Sequence, residues 1–275
     1  MPATVLNRAQ TRLAIVGAGR LGNAFARALE VTGSIEPDAT NSIQLIGPLE
    51  RGADGVGCDA VLLCVPDAEI ALAAAAIAPG PLVGHCSGAT GLEPLAPHEA
   101  FSLHPLMTVT ADGANFAGAT AAVDGATDAA LAFAARLAGA LRMEAVRIRA
   151  EDRPAYHAAA SIASNFLITL EAAAEKLAAT AGIRRQMLVP LVRATVDNWA
   201  SLGGELALTG PVVRGDGATV ARQREAGAER TPDMIPLFDA LTEATRALAS
   251  ASSVEPVPSL EPVPSLEPVP SLEHL

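Results

Sequence analysis

The sequence is poor in aromatic residues, in cysteine and in positive charge. Aromatic side chains make up 3% of its 275 residues, and there are three cysteines. The cysteines, Cys58, Cys64 and Cys86, are odd in number and none lies in a CxxC spacing. Structural disulfides and a zinc site are therefore not expected, no metal is predicted, and a reducing cytoplasmic compartment is the expectation.

Basic residues are outnumbered by acidic ones, 19 to 30, and the formal net charge is −11. This balance argues against a broad surface for nucleic acid or for an anionic membrane, but it does not exclude one local phosphate site. Every apolar run is interrupted by Gly, Pro or charge before it reaches the roughly 18 residues of a membrane span. Residues 1–12 contain no apolar signal segment. Neither a nucleic-acid nor a membrane partner is expected.

Apolar residues are abundant, at 50% of the chain, which is enough to build a core for one large domain or two modest ones. Up to residue 150, short β-branched runs alternate with alanine-rich helical stretches. This alternation predicts parallel βαβ units in a doubly wound, mostly parallel sheet, over residues 1–150. Strands are predicted at 12–16, 42–46, 60–65, 82–85, 100–103, 120–123 and 144–148, and helices at 20–31, 68–78 and 126–141.

The character of the chain changes near Glu151. No strand pattern is found from Pro154 to Ser250, so residues 151–253 are predicted to form an all-helical second domain, with helices over 183–202, 219–227 and 236–249. The last segment, 254–275, repeats EPVPSL three times. Two prolines in six residues block helix and central strand, so this tail is predicted to be disordered and dispensable, the alternative being a spacer or a proline-motif ligand.

The sharpest local motif is a glycine-rich turn between the first strand and the first helix. It has the form GxGxxG and comprises Gly17, Ala18, Gly19, Arg20, Leu21 and Gly22. The first glycine permits a tight turn, the second lets the backbone approach a pyrophosphate, and the third lets helix and strand pack closely. These residues are predicted to bind a dinucleotide; a glycine turn without a ligand is the alternative.

The residues at the end of the second strand indicate whether NAD or NADP is the cofactor. NAD enzymes usually place an acidic residue at its end to hold the ribose 2′-hydroxyl. Here the strand runs into Leu49, Glu50 and Arg51, with no acid at its tip. Arg51 could meet a 2′-phosphate, so NADP is predicted, with NAD possible. A solvated loop cation is the alternative for Arg51.

Two further loops follow strands of the predicted sheet and should lie at its ligand-binding edge. Val65, Pro66 and Asp67 form the first, although Asp67 could simply cap the next helix. His85, Ser87 and Gly88 belong to the second. His85 and Ser87 could contact the nicotinamide ribose or the substrate, or could stabilise the turn.

Polar residues also recur in the helical region. His157, Ser161 and Ser164 share one α-helical face, with Asn165 at its edge. Such a stripe needs polar partners, which another helix or a cleft facing the nicotinamide could supply. Arg214 could bind a substrate carboxylate or pair with Asp216, and Asp216 could cap the following helix.

The motifs together resemble a known family, the Rossmann-like proteins with a DUF2520 C-terminal domain. These are relatives of pyrroline-5-carboxylate reductase and, more distantly, of 6-phosphogluconate and β-hydroxyacid dehydrogenases. The matching segments are GAGRLG at Gly17, VPD at Val65, HCSGA at His85, SLHPL at Ser102–Leu106, YHAAASIASNF at Tyr156 and ALTGPVVRGD at Ala207–Asp216.

The resemblance implies a Rossmann domain followed by an all-helical domain like the C-terminal domain of 6-phosphogluconate dehydrogenase. It further implies NAD(P) between the two domains and an oxidoreductase activity. Asn165 matches a catalytic asparagine of the dehydrogenase relatives, whereas Arg153 stands where the family commonly has lysine. Arginine holds its proton too tightly to act as an acid, so His157 or Tyr156 would take the role of proton donor.

The main prediction is an NADP-dependent reductase of a small carbonyl or imine compound. Its predicted catalytic residues are His157, Asn165 and Tyr156, and its substrate-binding residues are His104, Ser161, Arg214 and Asp216. The alternative is a dinucleotide sensor or regulator without catalysis, which Arg153 favours. A homodimer through the helical domain is expected, with Val189, Leu191, Val192 and the helix from Ala155 as candidate contacts.

Overall fold

A computed structural model describes residues 10–35 and 42–251 of the chain. The predicted tail, 254–275, lies outside the described residues. Contacts divide the chain into two compact units, Met1–Ser164 and Asn165–Leu275. The boundary between the units therefore lies after the first helix of the predicted second domain, and not at residue 150 as predicted. The reason is that this helix packs on the sheet through Arg153, which is 1% exposed.

The first unit is built on one seven-stranded sheet in the order β2-β1-β3-β4-β5-β6-β7. All neighbouring strands are parallel except β5 and β6, which are antiparallel. The strands are β1 (Gln10–Val16), β2 (Ser42–Leu49), β3 (Ala60–Leu63), β4 (Leu82–His85), β5 (Ala100–Pro105), β6 (Thr120–Gly125) and β7 (Glu144–Arg147). The predicted doubly wound, mostly parallel sheet is confirmed.

Helices cover both faces of this sheet. On one face, α1 (Arg20–Ile35) and α3 (Asp128–Ala140) contribute Phe25 and Phe133 to the larger apolar core. On the other face, α2 (Ile70–Ala75) contributes Ile70 to a second core. The predicted helix 68–78 is thus shorter, and it is preceded by a 3₁₀ turn, Asp67–Glu69. Central strands covered on both faces are apolar throughout, as Ala60–Leu63 is.

The first unit ends with α4 (Arg153–Ser161), which continues into a π-helical turn, Ile162–Phe166. The second unit contains α5 (Leu167–Ala179), α6 (Arg185–Ala207), α7 (Gly217–Arg230) and α8 (Ile235–Ala251). No strand occurs among its described residues, as the sequence predicts. Ion pairs join its elements: Lys176 lies 2.7 Å from Asp233, and Arg224 lies 2.8 Å from Asp239.

Candidate functional site

The glycine-rich turn lies at the switch point of the sheet, where β1 is flanked by β2 and β3. Two of its glycines are required by packing. A Cβ on Gly17, which has φ +111°, would lie 2.5 Å from the carbonyl oxygen of Cys64. A Cβ on Gly22 would lie 2.0 Å from the carbonyl oxygen of Gly17. Helix α1 can therefore approach β1 and β3 closely only with these glycines.

The third glycine, Gly19, faces open space. A Cβ there would meet no protein atom within 4 Å, and the residue lies on the wall of a cavity of about 440 Å³. The cavity runs along the carboxyl ends of the parallel strands, which is where ligands bind in open α/β sheets. It is lined by residues 17–21, Arg51, residues 64–67, Cys86, Ser87, His104, Pro105, Met107 and Val109.

This wall fits a dinucleotide diphosphate. Bare main chain at Ala18 and Gly19 leads directly into α1, and the amide groups at the N-terminus of a helix attract an anion. Arg20 and Arg51 add positive charge to the same cavity. Arg51 forms an ion pair of 2.7 Å with Glu69, in which the side chain of Arg51 remains 63% exposed. Nearly all the predicted cofactor-binding residues line this cavity. The exceptions are Gly22, His85 and Gly88, which are not among its lining residues.

The turn after β4 is held by side chains. Ser87 Oγ donates to Asp67 Oδ2 at 2.7 Å and accepts from the amide of Thr90 at 2.9 Å. The fully buried His85 uses both ring nitrogens within the turn: Nε2 lies 2.8 Å from the carbonyl oxygen of Gly91, and Nδ1 accepts from the amide of Ser87. Burial lowers the pKa of His85. His85 thus stabilises the turn, while Asp67 accepts from Ser87 and caps no helix.

Arg153 anchors α4 to the sheet. Its guanidinium donates to the carbonyl oxygen of Ser87 at 3.2 Å and to Oγ of Ser102. Its Nε is buried without a hydrogen-bond partner, and no carboxylate lies within 4 Å of the guanidinium in the part of the chain that the structure describes. Burial lowers the pKa of Arg153. A buried guanidinium with these bonds is a fixed positive charge and not a proton donor.

The rings of His104, Tyr156 and His157 lie close together in the sheet unit. Tyr156 lies on α4, and its hydroxyl is 2.7 Å from Nδ1 of His104, at the end of β5. The His157 ring lies 6.2 Å from the His104 ring, centroid to centroid. Gly88 supports both imidazoles, since a Cβ there would lie 2.9 Å from a carbon of each ring. The structure thus brings together three predicted residues, His104, Tyr156 and His157, that lie far apart in the sequence.

The predicted polar stripe is interrupted. Ser161 ends α4, and Ser164 lies in the π-helical turn, where its Oγ donates to the carbonyl oxygen of Ala160 at 2.8 Å. A π turn places residues at a different angular spacing from an α-helix. Beyond Ser161 the chain therefore leaves the α-helical spacing on which the predicted positions of Ser164, on the face of His157, and Asn165, at its edge, depend. Asn165 is exposed at the start of the second unit.

The loop before α7 also belongs to the second unit. Asp216 is the N-cap of α7, and its Oδ1 accepts from the amide of Thr219 at 3.0 Å. Hydrogen bonds from the side chain and from the amide of Thr219 lower the pKa of Asp216. Arg214 and Asp216 do not form an ion pair. The capping alternative for Asp216 is confirmed, and the substrate-binding roles of Ser161, Arg214 and Asp216 stay predictions.

Sequence reasoning missed several residues of the site. Cys64 and Cys86 follow neighbouring strands and line the cavity, with their Sγ atoms 3.7 Å apart. Pro105, Met107 and Val109 form the wall after β5, and Ser102 receives Arg153. For the cysteines a signal existed, because Cys64 lies at the end of the predicted strand 60–65 and Cys86 comes directly after the predicted strand 82–85. The contact between Ser102 and Arg153 had none, since it joins residues 51 positions apart.

Within residues 10–35 and 42–251, no helix is long and apolar enough to cross a membrane. The same residues contain no group of three or more His, Cys, Asp or Glu side chains placed to hold a metal ion.

The chain is similar to one family model over part of its length and to several solved structures in its fold. The family model described as Domain of unknown function (DUF2520) matches residues 119–245. The match begins at β6, so it takes in the end of the sheet as well as the helical region predicted from residue 151. No curated protein matches the sequence.

Solved structures resemble the chain over most of its length. Protein BF3122 from Bacteroides fragilis, named as a candidate NADP oxidoreductase, has a TM-score of 0.70 at 20% identity, covering 86% of this chain and 98% of its own. Protein TM1727 from Thermotoga maritima has a TM-score of 0.68 at 22% identity, covering 87% and 98%. A reductive aminase from Aspergillus terreus, in complex with NADPH and ethyl-5-oxohexanoate, has a TM-score of 0.62 at 15% identity, covering 88% and 98%.

At these identities the likenesses establish the fold. They agree with the predicted architecture, a Rossmann-like α/β domain followed by helices, and the family match agrees with the resemblance drawn from the motifs. The chain therefore has a Rossmann-like fold, and its residues 119–245 match the DUF2520 family model.

Proposed function

We propose that this protein is an NADP-dependent oxidoreductase that reduces a small carbonyl or imine compound. The observation that carries the proposal is the cavity at the switch point of the sheet, where Gly19 presents bare main chain at the start of α1. Bound NADPH would supply the hydride, and the protein would supply binding, orientation and a proton. Residues 17–21 would hold the diphosphate.

The choice of NADP rests on charge at the adenosine end of this cavity. Strand β2 ends at Leu49 without an acidic residue to accept from a ribose 2′-hydroxyl. Arg20 and Arg51 both line the cavity, and Arg51 could exchange its exposed partner Glu69 for a 2′-phosphate. The NADPH complex of the Aspergillus terreus aminase, which has a similar fold, supports the same cofactor.

The test combines binding with turnover. We expect calorimetry to give a dissociation constant for NADPH at least roughly tenfold lower than for NADH, a difference of about 1.4 kcal/mol. Arg51→Gln should reduce this preference, while Arg12→Gln, at an exposed arginine outside the cavity, should retain it. NADPH oxidation is then followed with aldehydes, ketones and cyclic imines. Absence of binding by either nucleotide would contradict the proposal.

A dinucleotide sensor is the second candidate, and Arg153 is the observation that favours it. Because this arginine is a buried anchor, the position at which the family commonly has lysine cannot donate a proton here. A sensor would bind NADPH tightly without oxidising it in the presence of any compound of the panel. Turnover with a single carbonyl or imine would rule this function out.

We also propose that the protein is a homodimer through its helical unit. No residue of α5, α6 or α8 is buried. Large apolar side chains on α6 are open to solvent, among them Leu191 at 66% and Trp199 at 61% exposed. Long helices in water are stable only when an apolar face is covered. A second copy of the same helices would provide a matching apolar surface.

A further inference from the structure

The pair formed by His104 and Tyr156 has a chemical capacity that the proposed function does not yet use. Nδ1 of His104 and the hydroxyl oxygen of Tyr156 are 2.7 Å apart, and the rings meet edge to face. His104 lines the cavity, whereas Tyr156 lies on α4 and is not among the lining residues. The pair therefore joins a residue of the cavity wall to helix α4.

Both members of the pair are neutral near pH 7. Burial, assisted by the positive charge that His157 and Arg153 would place beside it, lowers the pKa of His104 to about 4. Burial raises the pKa of Tyr156 to about 12, against the opposing effect of the Arg153 guanidinium. A phenol is a better donor than acceptor, so the hydroxyl of Tyr156 donates to Nδ1. In a neutral imidazole the proton then resides on Nε2.

His104 lines the cavity, and its second ring nitrogen, Nε2, is not used by the bond to Tyr156. No hydrogen-bond partner for it is found among residues 10–35 and 42–251. The buried side-chain nitrogens and oxygens without a partner in those residues are Nε of Arg136 and Nε of Arg153, so Nε2 of His104 is not sealed. Gly88 leaves room for the ring, since a Cβ there would lie 2.9 Å from Cε1 and 3.0 Å from Nδ1 of His104. The N–H bond of Nε2 thus has no acceptor among the described residues and is available to a ligand.

We infer that His104 is the residue that protonates the reduced substrate, with Tyr156 as the positioning residue that returns a proton to it. This inference rests on the proposed function. As hydride reaches the substrate carbon, the N–H bond of Nε2 breaks and a new bond forms from that proton to the carbonyl oxygen or the imine nitrogen. Nδ1 takes the hydroxyl proton of Tyr156. The phenolate left behind is stabilised by the positive charge of Arg153 and regains its proton from water.

In this proton transfer from Tyr156 through His104, Arg153 has a role that does not require it to donate a proton. A buried positive charge close to a phenol lowers the free-energy cost of forming the phenolate. An alkoxide is a stronger base than a phenolate, so the net transfer from Tyr156 to a reduced carbonyl is downhill. This role also explains how a chain with arginine in place of lysine can still deliver a proton.

The first arm of the test measures the tautomer of His104 and needs no substrate. Protein labelled with ¹⁵N in its histidines is studied by NMR, and the His104 signals are assigned by their loss in His104→Gln. We expect a neutral ring with the proton on Nε2 down to about pH 5, and a changed Nδ1 shift in Tyr156→Phe. A proton on Nδ1 would overturn the inference, because Nε2 would then have no proton to give.

The second arm measures turnover. His104→Gln can still donate a hydrogen bond but cannot pass on a proton, so we expect kcat to fall on the order of 100-fold with an unchanged dissociation constant for NADPH. His98→Gln is the matched control, since His98 is half-buried outside the cavity and bonded to the carbonyl of Ala74. Tyr156→Phe should lose less rate, and its rate in mixed H₂O and D₂O should become linear in deuterium content where that of the wild type is curved.

Together the two experiments distinguish a failure of the inference about His104 from a failure of the proposed reductase function. A wild-type protein that turns over a panel compound while His104→Gln keeps its rate overturns the inference but leaves the reductase intact, and His157→Gln then tests the other candidate donor. A wild-type protein that oxidises NADPH with no compound of the panel contradicts the proposed function. In that case the NMR arm still decides whether His104 holds a transferable proton on Nε2.

Discussion

Three glycines of one turn are needed for three different reasons. Gly17 adopts a left-handed φ of +111°, and Gly22 touches the carbonyl of Gly17, so both are required by the fold itself. Gly19 has neither constraint, and its missing side chain leaves part of the cavity free. The GxGxxG pattern predicts these separate roles. The structure shows the folding role at Gly17 and Gly22, and the binding role of Gly19 stays a prediction.

The matched pair Gly19→Ala and Gly22→Ala should separate binding from folding. We expect Gly19→Ala to unfold at the same urea concentration as the wild type, because its Cβ meets no protein atom within 4 Å. It should bind NADPH roughly tenfold or more weakly, since the methyl group occupies space meant for the diphosphate.

Gly22→Ala should show the opposite balance. Its Cβ would lie 2.0 Å from a backbone oxygen, so α1 must move away from β1. We expect a loss in the free energy of unfolding of about 1–3 kcal/mol or more. The pair is measured by urea denaturation and by calorimetry with NADPH. Equal affinities for NADPH in Gly19→Ala and the wild type would show that the diphosphate is held elsewhere.

At the scale of elements, the parallel strands bring the residues of the candidate site together. The ends of β1, β3, β4 and β5 meet at one edge, and the strand ends and the loops that follow them supply the residues of one cavity: 17–21, 64–67, 86, 87, 104, 105, 107 and 109. Strand identity and order could be inferred from apolar runs and glycine turns. The inward direction of individual side chains could not, and for this reason His85 was a candidate ligand although both of its nitrogens are used in its own turn.

Asp216, for which the sequence allows either a capping or a binding role, can be tested at the start of α7. Asp216 caps α7, and Asp216→Ala should therefore lower the stability of the helical unit, because the amide of Thr219 loses its acceptor. Asp216→Asn keeps an acceptor oxygen and should restore most of that stability. The measurement is the midpoint of urea unfolding followed by circular dichroism.

The same two variants test the predicted binding role of Asp216. If it binds substrate through its charge, KM should rise in Asp216→Asn while the unfolding midpoint stays near that of the wild type. An unchanged KM in Asp216→Asn would leave Asp216 with a capping role alone.

At the scale of the whole molecule, the two units differ in how well they bury apolar surface. The sheet unit encloses its central strands, and Leu13, Ile15, Leu62 and Phe101 are fully buried. The helical unit buries none of the residues of its three longest apolar helices, α5, α6 and α8. This contrast is expected of a unit that completes its core with a second chain.

Leu191→Glu should weaken the dimer. Leu191 is 66% exposed on α6, and a charge there could not be covered by an apolar partner face. We expect light scattering to give a dimeric mass for the wild type and a monomeric or concentration-dependent mass for the variant. Trp199 is the only tryptophan in the sequence, so a red shift of its emission would report the newly exposed α6.

Leu72→Glu is the control for this experiment, because Leu72 is 78% exposed on the sheet unit. Its substitution should leave the dimer unchanged. A monomeric wild-type protein at micromolar concentration would contradict the homodimer proposal.

The sequence by itself determined the α/β class, the glycine turn with its cavity-lining loops and the all-helical second half. These follow from local rules: apolar periodicity, glycine conformations and the alternation of strands and helices act within short stretches of chain. The tertiary structure alone decided which polar groups meet. Arg153 joins Ser87 and Ser102, and Tyr156 joins His104, across 51 to 66 residues. Such contacts depend on how strands and helices pack, and no pattern within one segment specifies them.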